Sequence, residues 1–479
     1  MKKIFAYISV LMLAASCSDL SSLNDDPKKA TDVPGDMLFT SAQKNLYDNM
    51  TSNSVNLNVF RLLAQQQAQV TYIDESRYDL ATRNIPQAFW HALYRDVLED
   101  LYAAKNLIKG DSALSDIDQT IKDNKLAIID INEVYTYFVL VTAFGNLPYT
   151  ETMNVNIPNP TFDDQKTVYL NLLDRLKTDV AALDASQGSF GSQDLVYKGD
   201  IGKWVKFANS LRLKMALVIA DNDDTKAQAA AVVSEVASNV FTSNADNAVL
   251  KYLTSQPNTN PIWVDLVNSK RTDYVIASTL VDLMNTRNDP RRPFYFTAVA
   301  SGNYVGGTYG SGNVYSSYSH VSAKVTAPDF EALLLDYSEV EFALAEAAER
   351  GLAVTGTAAE HYTNGITASI SYWGGSGEQV TTYLAQPSVA YATATGTWKE
   401  KIGTQKYIAL YNRGYDAWLE WRRLDYPIFN PPVDIAYSSI PVRLTYPVSE
   451  QNLNETKYEE AASAIGGDKL TTKLFWDKF

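Results

Sequence analysis

The sequence predicts a mostly α-helical chain of paired helices, interrupted by loop-rich stretches. Three observations predict it. Apolar residues recur at a period near 3.6 over long segments, as at Ile128, Ile131, Tyr135, Phe138 and Val139. One helix–turn–helix unit carries capping residues and an alanine-rich contact face, from Ser338 to Gly375. Two stretches, Asp246 to Asn260 and Ala300 to Val321, break any period with Pro, Asn and Gly.

At the N-terminus, Met1-Lys2-Lys3 is basic and Ile4 to Ala15 is apolar apart from Ser9. That run is shorter than the roughly 20 residues needed to span a bilayer. With Ala14-Ala15-Ser16 behind it, residues 1–16 read as a secretory signal peptide. Cys17 follows at once and is the only cysteine, so no internal disulfide is available to it. A stray buried cysteine is one reading. The other is that Ala-Ser-Cys resembles the lipobox of bacterial lipoproteins, which implies that Cys17 is the lipid attachment site. Ser18 to Lys29 is rich in Asp, Ser and Lys and cannot bury enough apolar surface to order itself. Residues 17–40 are therefore expected to be a lipidated N-terminus and tether. Its acidic residues resemble the surface-export signal of Bacteroidetes lipoproteins.

Residues 41–479 are expected to form one domain, because no linker divides them. Hydrophobic residues make up 46% and charged residues 20%, enough for a large core. No apolar run after Cys17 is long enough to span a membrane by sequence, so contact with the membrane is expected through the lipid alone. A net charge of −14 argues against nucleic acid, which needs clustered Lys and Arg. The 30 tyrosines outnumber the 17 phenylalanines, and Tyr suits wet binding surfaces.

Taken in order, the first clear helix ends at Gly145, with Pro148 beyond. Thr161 is expected to cap a second, with Val168, Leu172, Leu173, Leu176 and Val180 as its stripe. A third begins near Asp200 and a fourth spans Lys226 to Ser238. Ser338-Glu339-Val340-Glu341 reads as a capping box, and Thr357 to Glu360 as another. Ala343, Ala345, Ala347 and Ala348 let the two helices they open approach closely, the logic of tetratricopeptide-like units. In the segment from Lys406 to Pro427, Leu410, Trp418 and Trp421 read as core, with Arg422 and Arg423 free to pair with Glu420, Asp416 or Asp425.

The stretch from Ala300 to Val321 holds five glycines and four tyrosines, Tyr304, Tyr309, Tyr315 and Tyr318. Flexible backbone with aromatic anchors is the composition of antibody binding loops. A floppy surface loop has the same composition.

Motifs for chemistry are lacking. There is no G-x-S-x-G elbow, H-E-x-x-H helix or P-loop. His91, His320 and His361 have no ligand spacing, so no metal and no cofactor are expected. Asp221-Asn222-Asp223-Asp224 lacks the glycine and distal Glu of an EF-hand and reads as a solvated helix end. A binder is favoured over an enzyme.

Several blocks, in order along the chain, carry a family resemblance. They are Asp74 to Tyr78 (DESRY), Lys203 to Leu213, Asn288 to Arg291 (NDPR), Ser338 to Gly351, Lys406 to Pro427, Ile440 to Pro447, Glu450 to Asn454 and Asp468 to Asp477. Together with the lipoprotein start they resemble the SusD/RagB family of Bacteroidetes outer-membrane lipoproteins, on its SusD-like branch. The resemblance implies a tetratricopeptide-like scaffold of four helix pairs with an irregular, loop-rich half that faces the ligand. It implies a nutrient-binding lipoprotein on the outer face of the outer membrane. Such a protein is a lid on a SusC-like TonB-dependent transporter. Its cargo is an oligosaccharide, or an oligopeptide on the RagB side. A surface glycosidase and a purely structural lipoprotein stay open. The ligand site is expected on two segments, Tyr72, Asp74, Arg77 and Tyr78 in one and Asn303, Tyr304, Tyr309, Tyr315 and Tyr318 in the other, with Trp263 as an outlier.

Overall fold

The computed structural model describes residues 33–432 and 439–479. The residues expected to form the signal peptide, Cys17 and the first part of the expected tether lie outside the described residues. A helix runs over Gly35–Thr51, and Phe39 on it is fully buried, 3.9 Å from the ring of Phe190. Phe39, Ala42, Leu46 and Met50 supply the buried stripe that holds it.

Four helix pairs follow along the described chain. Asp116–Phe144 packs on Gln165–Ala182, and Ile201–Val218 on Lys226–Val236. Tyr337–Glu349 packs on Ala358–Trp373, and Trp398–Ala409 on Gly414–Leu424. This is the predicted helix-pair scaffold. The longest helix is long and apolar enough to cross a membrane. Yet 89% of its most apolar window is buried inside the fold, which marks it as the central core helix. Ser115 caps its start, and it stops at Gly145, whose φ of +94° few other residues adopt.

Two caps differ from expectation. Thr161 does not open the second helix, because a short strand, Phe162–Asp163, intervenes and pairs antiparallel with Leu147–Pro148. Asp164 is the cap, its carboxylate accepting from the Thr167 N–H at 2.9 Å. Ser338 lies inside its helix. Asp336 caps that helix by accepting from the Glu339 N–H at 2.8 Å. Ser338 instead donates to the Gly365 carbonyl of the neighbouring helix at 2.7 Å. Thr357 and Glu360 do form the predicted capping box.

Buried charges join the last pairs to the middle of the chain. Lys214 pairs with Glu339 at 2.8 Å and with Asp416. Arg413 reaches Glu339 at 2.5 Å and Asp416 at 2.9 Å. Arg423 reaches Glu346 and Glu420, both at 2.6 Å, and Lys406 also pairs with Glu420. Burial alone would raise the Glu339 carboxyl, but Lys214 and Arg413 hold it down at about 2. Arg422 does not pair with a carboxylate as its neighbour does. Its guanidinium lies 3.5 Å from the Trp418 ring centre and donates to the carbonyls of Thr142 and Val442. Trp418 is core, as its spacing predicts.

The loop-rich part is stitched by two-stranded antiparallel pairs. Val249–Leu250 joins Ala332–Leu333, and Gln67–Gln69 joins Tyr274–Ile276. The register of the second pair sets Gln69 opposite Tyr274, and the candidate site is built around that pair.

Candidate ligand-binding cleft

A cleft of about 90 Å³ opens between the turn after the first helix, the Gln67–Gln69 strand, the loop that follows it, and residues 265–274. Each wall is held by its own bonds. Asp265 accepts from the Ser52 hydroxyl at 3.1 Å and from the Asn53 N–H at 2.9 Å, so it fixes the turn. Burial pushes the Asp265 carboxyl up. Gln69 donates to Glu75 at 2.6 Å and accepts from the Ser76 N–H and hydroxyl at 2.9 and 2.7 Å. That triple contact fixes the start of the 70–83 loop.

At the lip stands Tyr72, 60% exposed, with the Arg83 guanidinium 5.6 Å from its ring centre. Arg83 is also held by the buried Glu75 at 3.2 Å. Arg271 pairs with Asp273 at 2.5 Å, and Tyr274 closes the far side. An exposed aromatic face beside oriented amides, carboxylates and guanidinium groups can stack on an apolar ring face and bond the polar groups around it. No nucleophile–base pair is assembled there.

The two predicted segments meet, although some 230 residues separate them. Arg77 donates to the Gly310 carbonyl at 2.9 Å, and Asn313 donates to the Gln69 carbonyl at 2.7 Å. Asn313 organises the tyrosine-rich segment by also accepting from the Thr308 N–H at 2.8 Å and donating to the carbonyls of Thr308 and Ser311. Gly306 lies so close to Ser278 that a Cβ would fall 2.3 Å from its Cα. Gly306 and Gly307 thus serve close packing, and the segment is a folded wall.

The predicted residues divide by burial. Tyr78 is fully buried and Tyr309 nearly so, their rings 6.3 Å apart, so neither presents a face to a ligand. Both are packing residues, and their assignment as surface anchors is corrected here. Tyr315 stacks on His320 at 3.7 Å, which occupies one of its faces. Tyr304 and Arg292 line a separate depression of about 700 Å³, and Asn303 is exposed and bonded to Ser301. Tyr318 is half-buried against the core. Asp74 is exposed at the cleft margin, 3.7 Å from Arg83. Trp263 is half-buried on a short helical turn two residues before Asp265. Of the ten, only Tyr72 lines the cleft itself.

Sequence reading missed Asn53, Gln69, Arg83, Asp265, Arg271, Asp273 and Tyr274. One signal was available: Arg271-Thr272-Asp273-Tyr274 repeats the mix of Asp, Arg and Tyr found at Asp74 to Tyr78. Asn53 and Asp265 carry no local pattern, because their roles arise from a contact 212 residues apart.

A family model described as starch-binding and associating with the outer membrane matches residues 27–447. A chitin-binding protein of solved structure is 27% identical, with a TM-score of 0.80 over 93% of this chain and 100% of its own. A SusD homologue from Bacteroides uniformis is 25% identical, with a TM-score of 0.79 over 92% of this chain and 99% of its own. A chitin-binding SusD homologue from Flavobacterium johnsoniae shares the fold at 24% identity, with a TM-score of 0.78 over 92% and 98%. No curated protein matches.

Proposed function

The chain belongs to the SusD-like family, and from that membership we propose that it captures an oligosaccharide at the bacterial cell surface and delivers it, unaltered, to a SusC-like TonB-dependent transporter that it covers as a lid. The exposed Tyr72 face beside Arg83 at the mouth of the cleft is the observation that carries this reading. The chitin-binding relative at 27% identity supports a sugar cargo. Lipid on Cys17 would hold the protein on the outer membrane, facing outwards; two or more acyl chains give stable anchoring where one is marginal.

The test has a binding arm and a membrane arm. Calorimetry with the mature chain should detect chito-oligosaccharides or malto-oligosaccharides and leave their length unchanged. Extraction in mild detergent should co-purify a large barrel transporter, and Cys17→Ala should move the protein to the soluble fraction. Binding of oligopeptides alone would shift the cargo to peptide, and shortening of the sugar would make the protein a glycosidase.

A further inference from the structure

We infer that the depression of about 700 Å³ beside Tyr304 is a second ligand site, and that it takes a sugar-sized ring bearing one carboxylate. Arg292 grips the carboxylate, and the other wall bonds the ring hydroxyls. This goes beyond the cargo site proposed above and stands apart from it, because the depression and the cleft share no wall residue.

The first observation is an unpaired guanidinium held in place. Arg291 and Arg292 are neighbours with opposite fates. Arg291 is fully buried and spends itself on the Asp289 carboxylate, at 2.9 and 2.6 Å. Arg292 has no carboxylate oxygen within 4.0 Å among the described residues. Its Nε donates to the Asp289 carbonyl and its Nη1 to Asn285 Oδ1, both at 3.0 Å. A guanidinium carries five N–H donors, so the second Nη1 hydrogen and both on Nη2 remain. They lie along an edge that suits a bidentate carboxylate. Arg292 is half-buried in the depression wall, and Nη2 is not sealed from solvent. Asn285 also donates to the Tyr304 carbonyl at 2.9 Å, so one amide fixes the cation and the aromatic together. The guanidinium carbon lies 5.6 Å from the Tyr304 ring centre. A cation oriented before the ligand arrives lowers the cost of binding.

The second observation is the other wall. About 700 Å³ falls within the roughly 300–1,000 Å³ of sites that hold a small ligand. The helix Gly377–Leu384 supplies that wall. Its capping box ties Gln379 Oε1 to the Ser376 N–H at 2.8 Å, which leaves Nε2 as the amide's free donor. Glu378 and Thr382 are exposed on the same helix. A carboxylate accepts, an amide nitrogen donates and a hydroxyl does both. Together they answer the hydroxyls of a sugar.

Charge is the third observation. The chain carries a net charge of −14, so an anion meets repulsion at long range and needs a cation where it lands. Of the described residues that line the depression, Arg292 is the only basic one. Asp289 there is already matched by Arg291, which leaves Glu378 to repel a second negative group. A ring with its single charge at one end and hydroxyls at the other matches both walls. A neutral sugar leaves the guanidinium unmatched.

The experiment is a ligand-observed NMR titration of the mature chain with the methyl glycoside of glucuronate. The methyl ester of the same sugar is the uncharged control, and N-acetylalanine is a carboxylate without hydroxyls. The acid should bind roughly tenfold or more tightly than either. Arg292→Gln should cut its affinity by roughly tenfold or more, the scale of a charge-assisted hydrogen bond. Arg292→Lys should recover only part of that, because an ammonium lacks the planar fork. Arg292 also braces its loop, so a second variant leaves that framework alone: Thr382→Trp, at an exposed wall position, should fill the depression and block the acid. Tyr72→Ala, in the cleft, should leave the acid's affinity unchanged. Equal binding of the ester or of N-acetylalanine overturns the inference, as does wild-type affinity in Arg292→Gln or Thr382→Trp. Loss of the acid in Tyr72→Ala places it in the cleft and overturns the second site, and an acid that does not bind at all overturns it outright. Chito-oligosaccharide binding is measured separately, so the proposed function stands in each of these cases.

Discussion

Between the helix pairs, Arg423 donates to Glu346 and Glu420, and Lys406 reaches the same Glu420. Around the cleft, Arg83 and Arg271 are likewise answered by Glu75 and Asp273. Both regions neutralise their charges internally. They differ in exposure. In the helical half the network joins helices far apart in sequence and sits out of reach of solvent. At the cleft, the Arg271–Asp273 pair and the Tyr72 ring stand at the open surface. A buried ion pair is weak evidence for net stability, yet breaking one side of it is severe. The helical half should therefore respond to mutation by unfolding, and the cleft by losing ligand.

The largest effect follows from Arg423→Ala. It leaves Glu346 to Arg350 alone and Glu420 to Lys406 alone, deep in the fold. A loss of about 3–5 kcal/mol in urea denaturation is expected. A loss under about 1 kcal/mol would mean that the network contributes little and would weaken the contrast.

Tyr309→Ala comes next, because it crosses the divide. Read from sequence, this tyrosine is a loop anchor. In the structure it is 8% exposed and packs near Tyr78. Truncating it should cost about 3 kcal/mol or more of stability and lower the melting temperature. An unchanged melting temperature would restore it to the surface.

That reversal shows what was legible. Helices came through because period 3.6 states which face is inside, as for Trp418 and for the stripe at Leu172, Leu173 and Leu176. Neither the glycine-rich stretch nor the 72–78 segment has a period that tells Tyr309 from Tyr72, and the Arg77–Gly310 and Asn313–Gln69 contacts join the two segments only in the fold. Caps erred for a similar reason. Ser338 has the chemistry of a cap, but Asp336 two residues earlier has it as well, and the neighbouring Gly365 carbonyl claims the serine.

Asp179 lies within the helical half, on Gln165–Ala182, and it yields a pH test. Burial, and then the nearby Asp130, push its carboxyl up to about 9, and Oδ2 has no partner. A folded-state value above the unfolded one means that this group's contribution is fully present below about pH 4 and is lost as pH rises towards 9. Asp179→Asn mimics the neutral acid at every pH. The variant should match the wild type near pH 4 and exceed it by on the order of 1–2 kcal/mol at pH 8. A gap that does not change with pH would show that Asp179 titrates normally.

The smallest expected change in stability, and the sharpest test of the cleft, is Tyr72→Ala. Its ring is 60% exposed and contacts Arg83 without entering the core, so the melting temperature should stay put, with stability within about 0.5 kcal/mol. Affinity for the cognate oligosaccharide should fall about tenfold, or about 1–2 kcal/mol, if the ring is a stacking anchor. Tyr72→Phe separates the two ways the residue can act: it keeps the face and removes the hydroxyl. Stacking predicts that Phe binds like Tyr, whereas a hydroxyl contact predicts that Phe falls with Ala. Wild-type affinity in both variants would remove Tyr72 from the site and move the search to the depression lined by Tyr304 and Arg292.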